Sequence, residues 1–146
     1  MSPLSTLERR FLADQRVGHL ATADRSCSPH VVPVCFAVAE STIYITVDEK
    51  PKSAEAPLKR IRNIVENAAV AFVADRYDED WSLLGWVMIR GQARILASGL
   101  EHHEAQALLC RRYVQLQRMQ ITPLPVIAIT VEKVASWGNL SLTKDG

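Results

Sequence analysis

Apolar positions along this chain fall mostly into runs of strand length bounded by turn residues, with a few stretches of helical period between them. Ser5-Thr6-Leu7-Glu8 fits a capping box, with Ser5 as N-cap and Glu8 reaching back. Leu7, Phe11 and Leu12 then share one helical face, which predicts a first helix over 6–15. Residues 17–23 read as a strand in which Gly18 marks a close approach or a bulge. A turn at 24–28 and Pro29 lead into 31–38, apolar enough for a strand buried on both faces. Pro33 inside that run requires a sheet edge or a local irregularity. Residues 42–47 make a third strand, and short loops between the three predict an antiparallel meander.

Helical spacing returns with Leu58, Ile61, Ile64 and Val65, which leaves Lys59, Arg60 and Arg62 on the opposite face of a helix ending near Asn67. Residues 68–74 form another apolar strand, and 75–81 are acidic and turn-like. The run 84–96 is long for one strand, and Gly85 and Gly91 offer places to bend it around a barrel corner. Ser98 with Glu101 repeats the capping-box pattern before a helix to about 113 that buries Ala105, Leu108 and Leu109. Residues 126–134 alternate as a closing strand, with Trp137 just beyond. The sum is a mainly β domain over 1–146: six antiparallel strands in a closed or half-open barrel, with three peripheral helices.

Composition narrows the function. The net charge of +1 lacks the broad positive footprint of a nucleic-acid binder. No apolar run approaches the roughly 20 residues that span a bilayer. Residues 1–10 lack the apolar segment of a secretion signal, so a cytoplasmic location is expected. Cys27, Cys35 and Cys110 are odd in number and widely spaced, which predicts buried, reduced thiols and no disulfide framework. His19, His30, His102 and His103 form no metal-binding spacing, so no metal site is expected.

Charge is concentrated locally instead. Residues 48–62 carry Lys50, Lys52, Lys59, Arg60 and Arg62 against Asp48, Glu49 and Glu55, directly after the 42–47 strand. Such a cluster reads either as a solvated helix face or as a phosphate grip at the start of a helix. No GxGxxG or Walker loop and no catalytic triad accompanies it. An enzyme without its own acid, base or metal draws its reactivity from a cofactor. Trp81 and Trp86 flank the start of the 84–96 strand, as core or dimer anchors or as the wall of a site for a flat ring.

Several ordered pieces carry a resemblance: 20–22, 29–34, 43–47, 59–64 with Glu66-Asn67, and 87–94. In order and spacing they resemble the pyridoxamine-phosphate-oxidase-like split-barrel family, which binds flavin or deazaflavin. Within it, Asp48-Glu49-Lys50-Pro51-Lys52 and Asp75-Arg76-Tyr77-Asp78-Glu79-Asp80-Trp81 look most like the branch that uses the deazaflavin coenzyme F420. The resemblance implies an FMN-binding-protein-like split barrel and a homodimer with cofactor sites at its interface. It implies that Lys59 and Arg60 hold the cofactor phosphate, with Lys50 and Lys52 adding charge and Thr46 supplying a nearby hydroxyl. His30, Val31, Val32, Pro33 and Val34 would lie along the ring and ribityl chain, offering backbone hydrogen bonds, while Trp81 or Trp86 shapes the ring pocket. Two features depart from true pyridoxamine phosphate oxidases. Trp86 stands where they carry a flavin-contacting glutamine, and their basic C-terminal substrate segment is missing. The implied activity is hydride transfer from reduced F420 to a small organic acceptor. FMN is the alternative cofactor, and a carrier of a flavin- or haem-like ligand without turnover is the alternative class.

Overall fold

A computed structural model describes residues 2–47 and 58–141. Seven strands form one antiparallel sheet: β1 (Gly18–Ala23), β2 (Pro29–Val34), β3 (Phe36–Ala39), β4 (Thr42–Thr46), β5 (Ala69–Arg76), β6 (Gly85–Leu96) and β7 (Val126–Gly138). Their order is β2-β1-β5-β6-β7-β4-β3. Six strands become seven because the 31–38 run breaks at Cys35. Both hairpins of the expected meander are present, but its middle strand is divided between them. β2 pairs with β1 and β3 pairs with β4, and these two pairs lie at opposite ends of the strand order. Only one residue separates β2 from β3, and consecutive Cα atoms are about 3.8 Å apart. The two edges must therefore meet at Cys35, which curls the sheet into a split barrel. Pro33 is accommodated because β2 is an edge strand, whose outer side needs no N–H donor.

Tyr113 pins the break. Its hydroxyl accepts from the Phe36 N–H (3.1 Å) and from Arg112 Nε (3.2 Å) and points its proton at the carbonyls of Arg16 (3.0 Å) and Phe36 (3.1 Å). Inside the barrel, Phe36 and Phe72 meet edge to face at 4.9 Å. Gly18 lies against this pair; a Cβ there would come within 2.2 Å of the Phe72 ring, so glycine makes room for it.

Among the described residues four helices surround the sheet: α1 (Thr6–Asp14), α2 (Lys59–Glu66), α3 (Leu100–Arg112) and the single turn α4 (Val114–Gln117). The capping box of α1 is formed, with Glu8 N–H to Ser5 Oγ at 3.1 Å and Ser5 N–H to Glu8 Oε1 at 2.9 Å. Phe11 and Leu12 are buried, but Leu7 is exposed. The second capping box is not formed. Gly99, at φ 101°, is the N-cap of α3, and no side chain caps it. Glu101 is instead held by Arg94, through two 2.8 Å hydrogen bonds, and by the Tyr44 hydroxyl at 2.9 Å. The Arg94 hydrogen bonds hold the Glu101 carboxyl down at about 2. Burial, with Glu101 adding to it, pushes the Tyr44 hydroxyl up to about 12.

α1 and α2 sit at opposite ends of the barrel strands. Phe11 packs near Gly85 at one end, and Asn63 meets Thr22 at the other. α3 and α4 cover a second apolar cluster around Leu109, Leu116, Ile121 and Val126. β7 runs on to Gly138, so Trp137 lies within the strand rather than beyond it. The cysteines also differ from expectation, since Cys27 is exposed and Cys35 and Cys110 are half-buried, and none is disulfide-bonded. Among the described residues no helix is long and apolar enough to cross a membrane.

Candidate functional site

Helix α2 advances about 100° per residue, so neighbouring positions point different ways. Lys59 and Arg62 face outward, whereas Arg60 turns in with Asn63 and Ile64 and is 9% exposed. The expectation that all three cations share the solvent face is thus incorrect for Arg60, as is burial of Val65, which is exposed. Lys59 Nζ lies 3.6 Å from Asp24 Oδ2. The β1–β2 turn presents that carboxylate, whose Oδ1 accepts the N–H groups of Ser26 (2.9 Å) and Ser28 (3.0 Å). The Ser28 bond chiefly, then those of Ser26 and Lys59, hold Asp24 below the usual carboxylate range. Two cations, Lys59 and Arg62, and two carboxylates, Asp24 and Glu66, line a cleft of about 400 Å³.

Beneath it lies a buried polar cluster. Asn63 Nδ2 donates to Thr22 Oγ1 at 3.0 Å, and Thr22 stands opposite His30 in the β1–β2 register. Arg60 Nε, Asn63 Oδ1 and His30 Nδ1 are buried without hydrogen-bond partners, as is Thr46 Oγ1 at the end of β4. Among the described residues Arg60 makes no ion pair. Buried polar atoms are normally satisfied, and an unpaired buried charge is costly. The orphaned donors, Arg60 Nε and the Thr46 hydroxyl, suit a polar, anionic ligand group and so fit the phosphate end of a flavin-type cofactor, whereas Asn63 Oδ1 accepts and would need a donor from its partner.

Next to the cleft, across the outer face of the sheet, runs a groove of about 480 Å³. Ala21 and Ala23 of β1, Ala69 and Ala71 of β5 and the backbone of Gly91 pave its floor, and Arg90, Gln92, Glu132 and Lys133 stand around it. Small side chains on three adjacent strands make a flat bed that suits a planar ring. A bulge shapes the wall. Gly91 pairs with Val131 but Arg90 pairs with Lys133, so Glu132 is the extra residue. The bulge turns both Glu132 and Lys133 to the exposed side. Glycine is required there, since a Cβ on Gly91 would lie 2.1 Å from the Thr130 carbonyl oxygen.

The structure brings some of the expected site residues together and separates others. Lys59, Arg60 and His30 gather at the α2 end. Of the edge strand, Val32 and Val34 face the core, whereas Val31 and Pro33 face outward. Trp81 is exposed on a 3-10 turn at 81–83, and Trp86 pairs across the strands with Trp137. Trp86 lies four residues along β6 from Arg90, about 13 Å at strand rise, so within one chain neither indole lines the groove. Lys50 and Lys52 lie outside the described residues. The acidic 75–81 segment has an internal logic. Arg76 donates to the carbonyls of Leu83 (2.9 Å) and Asn139 and sits over the Phe11 ring, and Asp80 caps the 3-10 turn that presents Trp81. Thr22, Asn63, Gln92, Glu132 and Lys133 escaped the sequence reading; Gly91 inside a strand was the available signal for the bulge that positions the last two.

The family profile described as pyridoxamine 5'-phosphate oxidase matches residues 8–135. This chain belongs to the pyridoxamine 5'-phosphate oxidase family. A curated relative is the 5a,11a-dehydrotetracycline/5a,11a-dehydrooxytetracycline reductase of Streptomyces rimosus, 35% identical over 100 residues, which are 66% of this chain and 67% of the relative. Among solved structures, the conserved hypothetical protein Rv2991 of Mycobacterium tuberculosis superposes with a TM-score of 0.74 at 21% identity, covering 92% of this chain and 85% of that one. A FAD-binding protein of Mesorhizobium loti does so with a TM-score of 0.66 at 25% identity, covering 91% and 94%. A heme binding protein of Mycobacterium smegmatis gives 0.72 at 18% identity, covering 97% and 57%. These similarities place the curled seven-stranded sheet among the split barrels of the pyridoxamine 5'-phosphate oxidase family.

Proposed function

We propose that the chain is an oxidoreductase that binds a flavin-type cofactor, coenzyme F420 in the first instance, and reduces a small organic acceptor. The observation that carries this reading is the adjacency of the α2 end, where Lys59 and Arg62 line a cleft beside Asp24 and Glu66 and Arg60 Nε is buried without a partner among the described residues, to a flat alanine-paved groove on the sheet, the first offering donors for an anionic handle and the second a bed for a planar ring. Kinship with a 5a,11a-dehydrotetracycline/5a,11a-dehydrooxytetracycline reductase favours reductive chemistry on a small molecule. Lys59 and Arg62 would meet the phosphate from the solvent side, and Arg60 and Thr46 from within, with Lys50 and Lys52 adding charge. The free outer edge of β2, from His30 to Val34, would offer backbone hydrogen bonds to the ring and ribityl chain. The cofactor supplies hydride when bound. The protein's part is to orient it, to position the acceptor between Gln92, Glu132 and Lys133, and to keep water from the reacting face.

The homodimer belongs to the same reading. Among the described residues no helix contributes to the lining of the groove, and Val31, Trp81 and Trp137 are exposed on or beside the same face. A second copy covering that face would bring its indoles to the groove. FMN in place of F420 is the second reading, favoured by the likeness to a FAD-binding protein. A non-catalytic carrier is the third, for which the heme binding protein offers likeness of fold alone. Rapid mixing of the protein and reduced F420 with a panel of enones, quinones and nitro compounds tests turnover. Reoxidation above the protein-free rate with at least one acceptor is expected; no acceleration by any would leave the carrier reading in its place.

A further inference from the structure

On the other side of the barrel, α1 and α3 enclose a second groove of about 550 Å³ over β3. It shares no lining residue with the cleft on α2 or the groove on the sheet. Four arginines line it, Arg9 and Arg10 from α1 and Arg111 and Arg112 from the last turn of α3, and no carboxylate does. Such asymmetry is unexpected in a chain with 17 cationic and 16 acidic side chains. The floor is apolar, formed by Ala37, Val38 and Leu108.

The four arginines are not equivalent. Arg112 is structural: it donates to the carbonyls of Ala13 (2.7 Å), Leu12 (3.4 Å) and Gln15, and its guanidinium lies over Phe36. Arg16 reciprocates by donating to the Arg112 carbonyl at 2.7 Å. These bonds fasten the end of α1 to the end of α3 and fix the groove walls. Arg112 also complements the C-terminal dipole of α3 and the carbonyls ending α1. Arg9, Arg10 and Arg111 have no such duty. Among the described residues none of them makes a side-chain hydrogen bond or an ion pair, although Glu104 lies two turns before Arg111 on α3.

We infer that this groove is a second ligand site, one that binds a small organic molecule carrying a diphosphate or a pair of phosphate groups, its apolar body resting on Ala37, Val38 and Leu108. Three uncommitted guanidinium forks on fixed walls exceed what one carboxylate can accept, whereas a diphosphate has oxygens enough for all three. Arginine rather than lysine suits this geometry, because each planar fork grips two oxygens at once.

Inorganic pyrophosphate is the probe. Calorimetric titration at low salt should show saturable binding that weakens as salt is added. The Arg9→Gln/Arg111→Gln variant should bind at least tenfold more weakly while melting within a few degrees of the parent, since neither side chain supports the fold. Lys59→Gln/Arg62→Gln removes the proposed cofactor-phosphate grip on the other side of the barrel; saturable pyrophosphate binding should persist in that variant and fall at least tenfold when Arg9→Gln/Arg111→Gln is added. The inference is overturned by the absence of saturable binding in the Lys59/Arg62 variant, or by binding there that the added Arg9/Arg111 substitutions leave undiminished. Because the probe contains no redox cofactor, failure here leaves the proposed oxidoreductase reading standing, and success does not prove it.

Discussion

Two neighbouring residues, Lys59 and Arg60, show how one helical step separates roles that a charge count merges. Lys59 is solvent-facing and paired loosely with Asp24. Arg60 is buried, its Nε without a partner. Among the described residues no carboxylate pairs with it, and a buried cation left so destabilises the fold unless a ligand uses it. Arg60→Met is therefore expected to leave the ligand-free protein as stable as the parent or more so, by up to about 2 kcal/mol, in urea denaturation. The same variant should lose F420 affinity by roughly 1.5–3 kcal/mol, the worth of a charge-assisted contact. A variant that unfolds more readily yet binds normally would assign Arg60 to the fold alone. At this scale the sequence displayed the cluster of cations, but not which of them turn inward. Ile61 and Arg62 differ in polarity as the pattern expects, whereas Arg60 and Val65 exchange the faces that hydrophobicity assigns them.

Elements were more legible than their connections. Alternation and turn residues placed every strand within a few residues, and Gly18, Pro33 and Gly91 each mark a real constraint: a close approach, a sheet edge and a bulge. What hydrophobicity did not reveal is the break at Cys35, because both halves of the 31–38 run are apolar and the change of partner strand leaves no polar mark. The structure secures that break from afar, through the Tyr113 hydroxyl on the Phe36 backbone. Ser98 with Glu101 matched a capping box by spacing, but Arg94 and Tyr44 claim the Glu101 carboxylate first. Tyr113→Phe removes the acceptor for a buried N–H and should destabilise the protein by about 1–3 kcal/mol. Chemical denaturation checks this; an unchanged midpoint would mean that the edges meet for other reasons, such as the packing of Phe36 on Phe72.

Across the described residues, a curled sheet capped at both ends leaves the face around the groove with no helix in its lining. That face carries the alanine-paved groove and the cross-strand pair Trp86–Trp137. Aromatic residues exposed beside an apolar sheet mark an interaction surface. If a second copy covers it, Trp137→Asp should convert a dimer into a monomer in light scattering without unfolding the barrel. A parent protein that is already monomeric at micromolar concentration would remove the dimer from the account.

The central claim is that the α2 cleft and the adjoining groove together hold a phosphate-bearing tricyclic cofactor. Fluorescence titration of the purified protein with F420, and separately with FMN, tests it most directly when repeated on Lys59→Gln/Arg62→Gln. The account predicts saturable binding of F420, tighter than that of FMN, and a loss of tenfold or more in the double variant. Affinity unchanged by that substitution, or no binding of either cofactor by the parent, would contradict it.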